Sequence, residues 1–145
     1  MTLALSEAEK AGEKGEVPIG AVIVVDGRVV ARGHNLRESK NDPTAHAEMI
    51  AIAKAAKKLR SWRLANSTLY VTVEPCVMCI GAVILARIPR LVFGCSDPKG
   101  GAVGSLYDIS NDMRLNHRVQ VTSGVMADEA QALLQGFFKK LRKRS

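Results

Sequence analysis

Thr68-Leu69-Tyr70-Val71-Thr72-Val73, followed directly by Glu74-Pro75-Cys76-Val77-Met78-Cys79, is the stretch on which the fold turns. The first six residues are mostly β-branched, aromatic or aliphatic and read as a strand. Glu74-Pro75 stops it, because proline donates no hydrogen bond to a sheet, and the same proline suits the first turn of a helix. A helix is therefore expected from about Cys76 to Ala86. Upstream, Leu5, Ala8 and Ala11 recur at helical spacing within residues 3–14, and the helix ends at Gly15. Ile19 to Val25 and Val29 to Arg32 flank Asp26-Gly27, a pair suited to the positive φ angles of a tight hairpin turn. Thr44 to Leu59 reads as a helix opening after Asp42-Pro43. Downstream come a short strand at Leu91 to Phe93, a glycine-rich loop from Asp97 to Gly104 and a strand near Val119 to Thr122. A long helix then runs from about Ala127 to the end. Strands alternating with helices after an initial hairpin imply an α/β sandwich on a mixed sheet, all within one domain over residues 1–145.

The composition narrows the setting. The most apolar region, Val77 to Phe93, is interrupted by Arg87 and Arg90, so no membrane span is expected. Residues 1–14 lack a basic leader and carry Glu7, Glu9 and Glu13, unlike a secretory signal. Three cysteines, two of them three positions apart, do not make a disulfide framework, and the cytoplasm is the expected compartment. The net charge is +7, yet the last seven residues hold five basic side chains and no acid, leaving +2 for the rest. A basic terminal helix fits a polyanion such as RNA; it equally fits a solvated tail.

Two segments carry the chemistry: Thr44-Ala45-His46-Ala47-Glu48 and Glu74-Pro75-Cys76-Val77-Met78-Cys79. Each lies where a strand or loop gives way to a helix. Cys76 and Cys79, three apart in a first turn, aim both sulfurs at one spot, and His46 supplies a third ligand from the other helix start. Two thiolates and an imidazole suit zinc, and three protein ligands leave a tetrahedral place for water, whereas structural sites close with four. Helix N-termini lower thiolate pKa and offset the charge that the sulfurs donate. Glu48 is too close to His46 in sequence to be a comfortable second ligand, and it is placed to shuttle a proton from water to a ring nitrogen and then to a leaving amine. Taken alone, Cys-x-x-Cys could be a redox pair or part of a structural finger, and His-x-Glu alone says little. Phe137 reads as core, His34 and His117 as structural or peripheral, with His117 an outside candidate for RNA contact, and Cys95 as a small buried hydrophobe. Trp62 has no evident role.

The His-x-Glu…Pro-Cys-x-x-Cys pattern is the known signature of zinc nucleobase deaminases. Beyond it, the chain resembles the bacterial tRNA-specific adenosine deaminases over nearly its whole length. The resemblance rests on Gly15-Glu16-Val17-Pro18-Ile19-Gly20-Ala21, on Asp42 to Glu48, on Leu69 to Cys79 and on Ala102-Val103-Gly104-Ser105-Leu106. It extends through Leu115-Asn116-His117-Arg118-Val119 to the terminal Phe137-Phe138-Lys139-Lys140. It implies a cytidine-deaminase-like, three-layer α/β/α sandwich with a five-stranded mixed sheet, one zinc per subunit and a homodimer. It also implies conversion of adenosine to inosine at the wobble position of a tRNA anticodon loop, with the target base splayed from the stack. Asn35 then matches an asparagine that hydrogen-bonds the inserted nucleoside, and Asp97 a position near the target ribose. Phe138 could stack on a neighbouring base, and Lys139, Lys140 and Arg142 could hold phosphates. Asn35 could also simply cap a strand end, and Asp97-Pro98 could be turn chemistry. The same zinc chemistry would serve a deaminase of free guanine, cytosine or a nucleoside, which is the rival reading.

Overall fold

The computed structural model describes residues 1–144. Helix α1 (Thr2–Glu13) leads into strands β1 (Gly20–Val25) and β2 (Arg28–His34), then α2 (Ala47–Leu59), β3 (Ser67–Val73) and α3 (Val77–Leu85). Strands β4 (Arg90–Cys95) and β5 (Gln120–Thr122) follow, and α4 (Ala127–Arg144) ends the chain. The five strands lie in the order β2-β1-β3-β4-β5. β1 is antiparallel to both β2 and β3, while β3, β4 and β5 run parallel, so the sheet is mixed as expected. The hairpin closes through Asp26 (φ 51°) and Gly27 (φ 76°), the pair of positive φ angles that a two-residue turn demands. A register shift at Ile23/Val24 adds one bulged position to β2.

Alternation along the strands turns one set of residues to α2 and α3 and leaves Gly20 and Gly94 close against α1 and α4. Ile23, Leu69, Val71, Leu91 and Phe93 face Ala47, Ala51 and Ala55 of α2 and Ile80, Val83 and Ile84 of α3. At the ends of β3 and β4, Val73 and Cys95 join a second cluster with Leu5 of α1 and Ala130, Leu133 and Leu134 of α4. The result is the three-layer α/β/α sandwich. Cutting a fully buried leucine such as Leu69 to alanine typically costs about 2–5 kcal/mol, because the cavity refills poorly. α2 lies unusually close: a methyl on Gly33 would stand 2.6 Å from the Ala47 carbonyl oxygen and 2.9 Å from the Ala51 nitrogen. Small residues on both surfaces therefore set where the first turn of α2 sits. Among the described residues no helix is long and apolar enough to cross a membrane.

One boundary departs from the sequence expectation. α2 opens at Ala47 rather than Thr44. The Asp42 carboxylate accepts hydrogen bonds from the Thr44 N–H (2.8 Å) and hydroxyl (2.7 Å), a local turn that competes with helix and defers its start. The topology then decides where chemistry can happen. The C-terminal ends of β3 and β4, the start of β1 and the end of β2 all reach the same edge of the sheet, the usual place for a site in such folds.

Candidate active site

At that edge His46 and Cys76 are the residues immediately before α2 and α3, both in extended backbone conformation (φ −76° and −77°). Cys79 follows in the first turn of α3. The His46 Nδ1 lies 3.6 Å from the Cys76 sulfur and 3.5 Å from that of Cys79. A tetrahedral zinc with ordinary bonds to nitrogen and sulfur would set those edges at about 3.6 Å, so the three residues fit the ion. Among the described residues this is the one group of three or more metal-capable side chains, with ligand atoms all within 4.8 Å of one another. Three ligands, not four, is the count of a catalytic centre.

Burial and proximity tune the group. Hydrogen bonding from Cys79 and from the His46 ring outweighs burial and pulls the Cys76 thiol down to about 4. The same hydrogen bond to Cys76, together with burial, pushes the Cys79 thiol up. The Cys76 sulfur holds the His46 ring above its ordinary range. One proton is thus shared by sulfur and nitrogen, and a metal would displace it on binding. Burial pushes the Glu48 carboxyl up, helped by the charge on Cys76. A carboxyl so raised holds a proton more readily than an exposed one.

His46, Cys76 and Glu48 line a cavity of about 180 Å³ together with Val17, Asn35, Arg37, Glu74 and Asp97. Asn35 serves both of its expected readings. Its amide closes the strand end, donating to the Val17 carbonyl (3.3 Å) and accepting from the Arg37 N–H (3.2 Å), yet it still faces the cavity. Asp97 likewise accepts from the Lys99 and Gly100 N–H groups as turn chemistry and also lines the cavity. Phe138, Lys139, Lys140 and Arg142 stand on exposed turns of α4 and are not part of the lining. Phe137 is the more buried of the aromatic pair. His117 bonds the Ile88 carbonyl, and His34 sits between Glu7 and Lys14.

Three contributors escaped the sequence reading. The buried Glu74 carboxylate accepts hydrogen bonds from the N–H groups of Asp97 (3.1 Å), Val103 (3.0 Å) and Ser105 (3.0 Å) and from the Ser105 hydroxyl. It fastens the glycine-rich loop over the cavity, and a side chain at Gly101 would overlap it. Glu16, fully buried, does the same for the loop after β2 by accepting from the N–H groups of Glu38 (3.0 Å) and Ser39 (2.6 Å). Arg37, on that loop, puts a cation at the rim. The adjacency of Glu74 to Pro75-Cys76 was the only signal for any of the three, and it speaks of place rather than of task.

Comparison with known proteins bears on the chemistry. A profile of the family described as MafB19-like deaminase matches residues 1–142. The chain is 53% identical, over 144 residues, to the tRNA-specific adenosine deaminase of Bacillus subtilis, covering 99% of this chain and 89% of that protein. It is 52% identical over 143 residues to the tRNA-specific adenosine deaminase of Haemophilus influenzae, covering 98% and 83%. A solved structure from work on adenosine-to-inosine editing by tRNA deaminases at the wobble position superposes with a TM-score of 0.89 at 49% identity, covering 92% and 97%. The guanine deaminase of Bacillus subtilis superposes less closely, with a TM-score of 0.65 at 33% identity, covering 95% and 90%.

Proposed function

The chain belongs to the MafB19-like deaminase family and within it to the tRNA-specific adenosine deaminases, and from that premise we propose how its site works. It replaces the exocyclic amine of adenosine by oxygen at the wobble position of a tRNA anticodon, giving inosine. The observation that carries the reading is the meeting of His46, Cys76 and Cys79 with the buried Glu48 beside one cavity at the sheet edge. Zinc, one per subunit on those three ligands, supplies the Lewis acidity that brings the pKa of water toward 7. Glu48 takes the proton lost as water adds to C6 of the base, passes it to the ring nitrogen, and later delivers a proton to the departing amine. Water is consumed and ammonia leaves, with no other reagent. Asn35, with one N–H and one lone pair left over, orients the nucleoside, and Asp97 lies toward its ribose. Phe138 stacks on a neighbouring loop base while Lys139, Lys140 and Arg142 contact phosphates.

The working form is a cytoplasmic homodimer, each subunit one catalytic domain. Its support is the number of large apolar side chains left in solvent on and after α3: Val77 is 51% exposed, Leu85 70%, Tyr107 59% and Met113 72%. An isolated soluble chain seldom leaves such a surface uncovered.

Incubation with total tRNA and free nucleosides, followed by mass spectrometry, tests the reaction. Inosine confined to an anticodon loop is the expected result; deamination of free bases alone would replace this reading by that of a base deaminase. Glu48→Ala should keep zinc and RNA binding and lose inosine formation by at least roughly 10²-fold. Unchanged turnover would remove the proton shuttle.

A further inference from the structure

We propose that Arg37 forms a phosphate-binding site at the mouth of the cavity, which takes the RNA backbone beside the target nucleotide and so separates a base within a chain from a free nucleoside. The inference rests on the tRNA reading above.

Arg37 is the one lysine or arginine lining the cavity, and its side chain is exposed. Among the described residues no hydrogen bond or ion pair within the chain engages its guanidinium. Its backbone, by contrast, is fixed from three sides. The Arg37 N–H donates to Asn35 Oδ1 (3.2 Å), its carbonyl accepts from the Asp42 N–H (3.0 Å), and the next two residues are held by the buried Glu16 carboxylate. A rigid stem with an unengaged fork at its tip is how a protein prepares an arginine for an incoming anion, since little backbone entropy remains to be lost on binding.

The surrounding charges sharpen the point. Glu16, whose ionised form Arg37 favours through charge, spends its oxygens on the N–H groups of Glu38 and Ser39. Glu74 spends its oxygens on Asp97, Val103 and Ser105, and one oxygen of Asp97 is spent on Lys99 and Gly100. The base itself is neutral, so recognition of base and ribose gives this arginine no partner. A nucleotide within RNA brings a phosphate on each side, and guanidinium–phosphate pairing is strong and bidentate. Because Asn35 and Arg37 share a hydrogen bond, the contact to the nucleoside and the contact to the backbone are held in one fixed relation.

The test compares wild type, Arg37→Ala and Arg37→Lys on a synthetic anticodon stem-loop, with parallel stem-loops carrying methylphosphonate 5′ or 3′ of the target adenosine. Arg37→Ala should raise KM roughly tenfold and leave kcat within about twofold. It should also make the salt dependence of RNA binding shallower by about one ion. Arg37→Lys should recover part of the loss, keeping the charge but not the fork. One of the two methylphosphonates should cost the wild type a similar factor and cost Arg37→Ala nothing, which identifies the phosphate. A fall in kcat at unchanged KM, an unchanged salt slope, equal sensitivity of both proteins to both methylphosphonates, or loss of zinc from Arg37→Ala would each overturn the site. If wild type forms no inosine in any RNA, the substrate reading fails on its own, and the salt slope of RNA binding still decides the phosphate site.

Discussion

Glu16 lies fully buried with no cation bonded to it, and its charge is held mainly by the loop after β2. Burial by itself would raise its pKa, but the Ser39 side chain and the N–H groups of Glu38 and Ser39 outweigh that and hold the carboxyl below its ordinary value. A depressed folded pKa means that the ionised form stabilises the native state. That contribution is present above the unfolded value of about 4.3 and disappears as the pH drops through the folded one. Glu16→Gln should therefore cost about 1–3 kcal/mol at neutral pH and little in strong acid. Thermal melts of both proteins from pH 7 downward should converge; parallel curves would refute the account. Glu16 stands in the quoted Gly15-Glu16-Val17-Pro18 motif, yet nothing in the sequence told what it does. Its partners are backbone amides more than twenty positions away, and a backbone amide has no letter. His46, Cys76 and Cys79 were legible for the opposite reason, since ligand chemistry requires particular side chains at particular spacings.

Elements were easier to read than tethers. The hairpin followed from Asp26-Gly27, because few dipeptides tolerate two successive positive φ angles. β3 and α3 followed from a run of strand formers broken by Glu74-Pro75. The start of α2 was misplaced by three residues, since propensity ignores a carboxylate that bonds the backbone two positions on. The true start matters, because it leaves His46 as the last extended residue before the helix. How α2 packs matters equally. Gly33→Ala inserts a methyl against Ala47 and Ala51, so the first turn must lift away, carrying His46 and Glu48 with it. The variant should lose about 1–3 kcal/mol of stability and bind zinc more weakly. Competition with a chromogenic chelator measures the second effect, and unaltered zinc affinity would show that the turn absorbs the methyl without moving its ligand.

At the scale of the whole molecule, the exposed apolar side chains of α3 and of the segment near Tyr107 are where the proposed second copy would sit. Leu85→Asp places a charge on a side chain that is 70% exposed, so the fold should persist while self-association fails. Light scattering behind size exclusion should give twice the protomer mass for wild type and a single protomer mass for the variant. A wild type that is already monomeric, or a variant that stays paired, would remove the dimer. No periodicity in the sequence separated this face from the buried one, because α3 is apolar on nearly every side.

The two rim loops are secured from beneath, by Glu16 and Glu74, with ties that consume main-chain amides and spare nearly every outward side chain. Their shape is thus largely indifferent to which residues they display. Positions 37, 38, 40 and 99, whose side chains make none of these ties, can be exchanged to suit a different nucleic acid while the anchors and the metal centre stay untouched. Anyone wishing to redirect this catalyst to new targets should begin there.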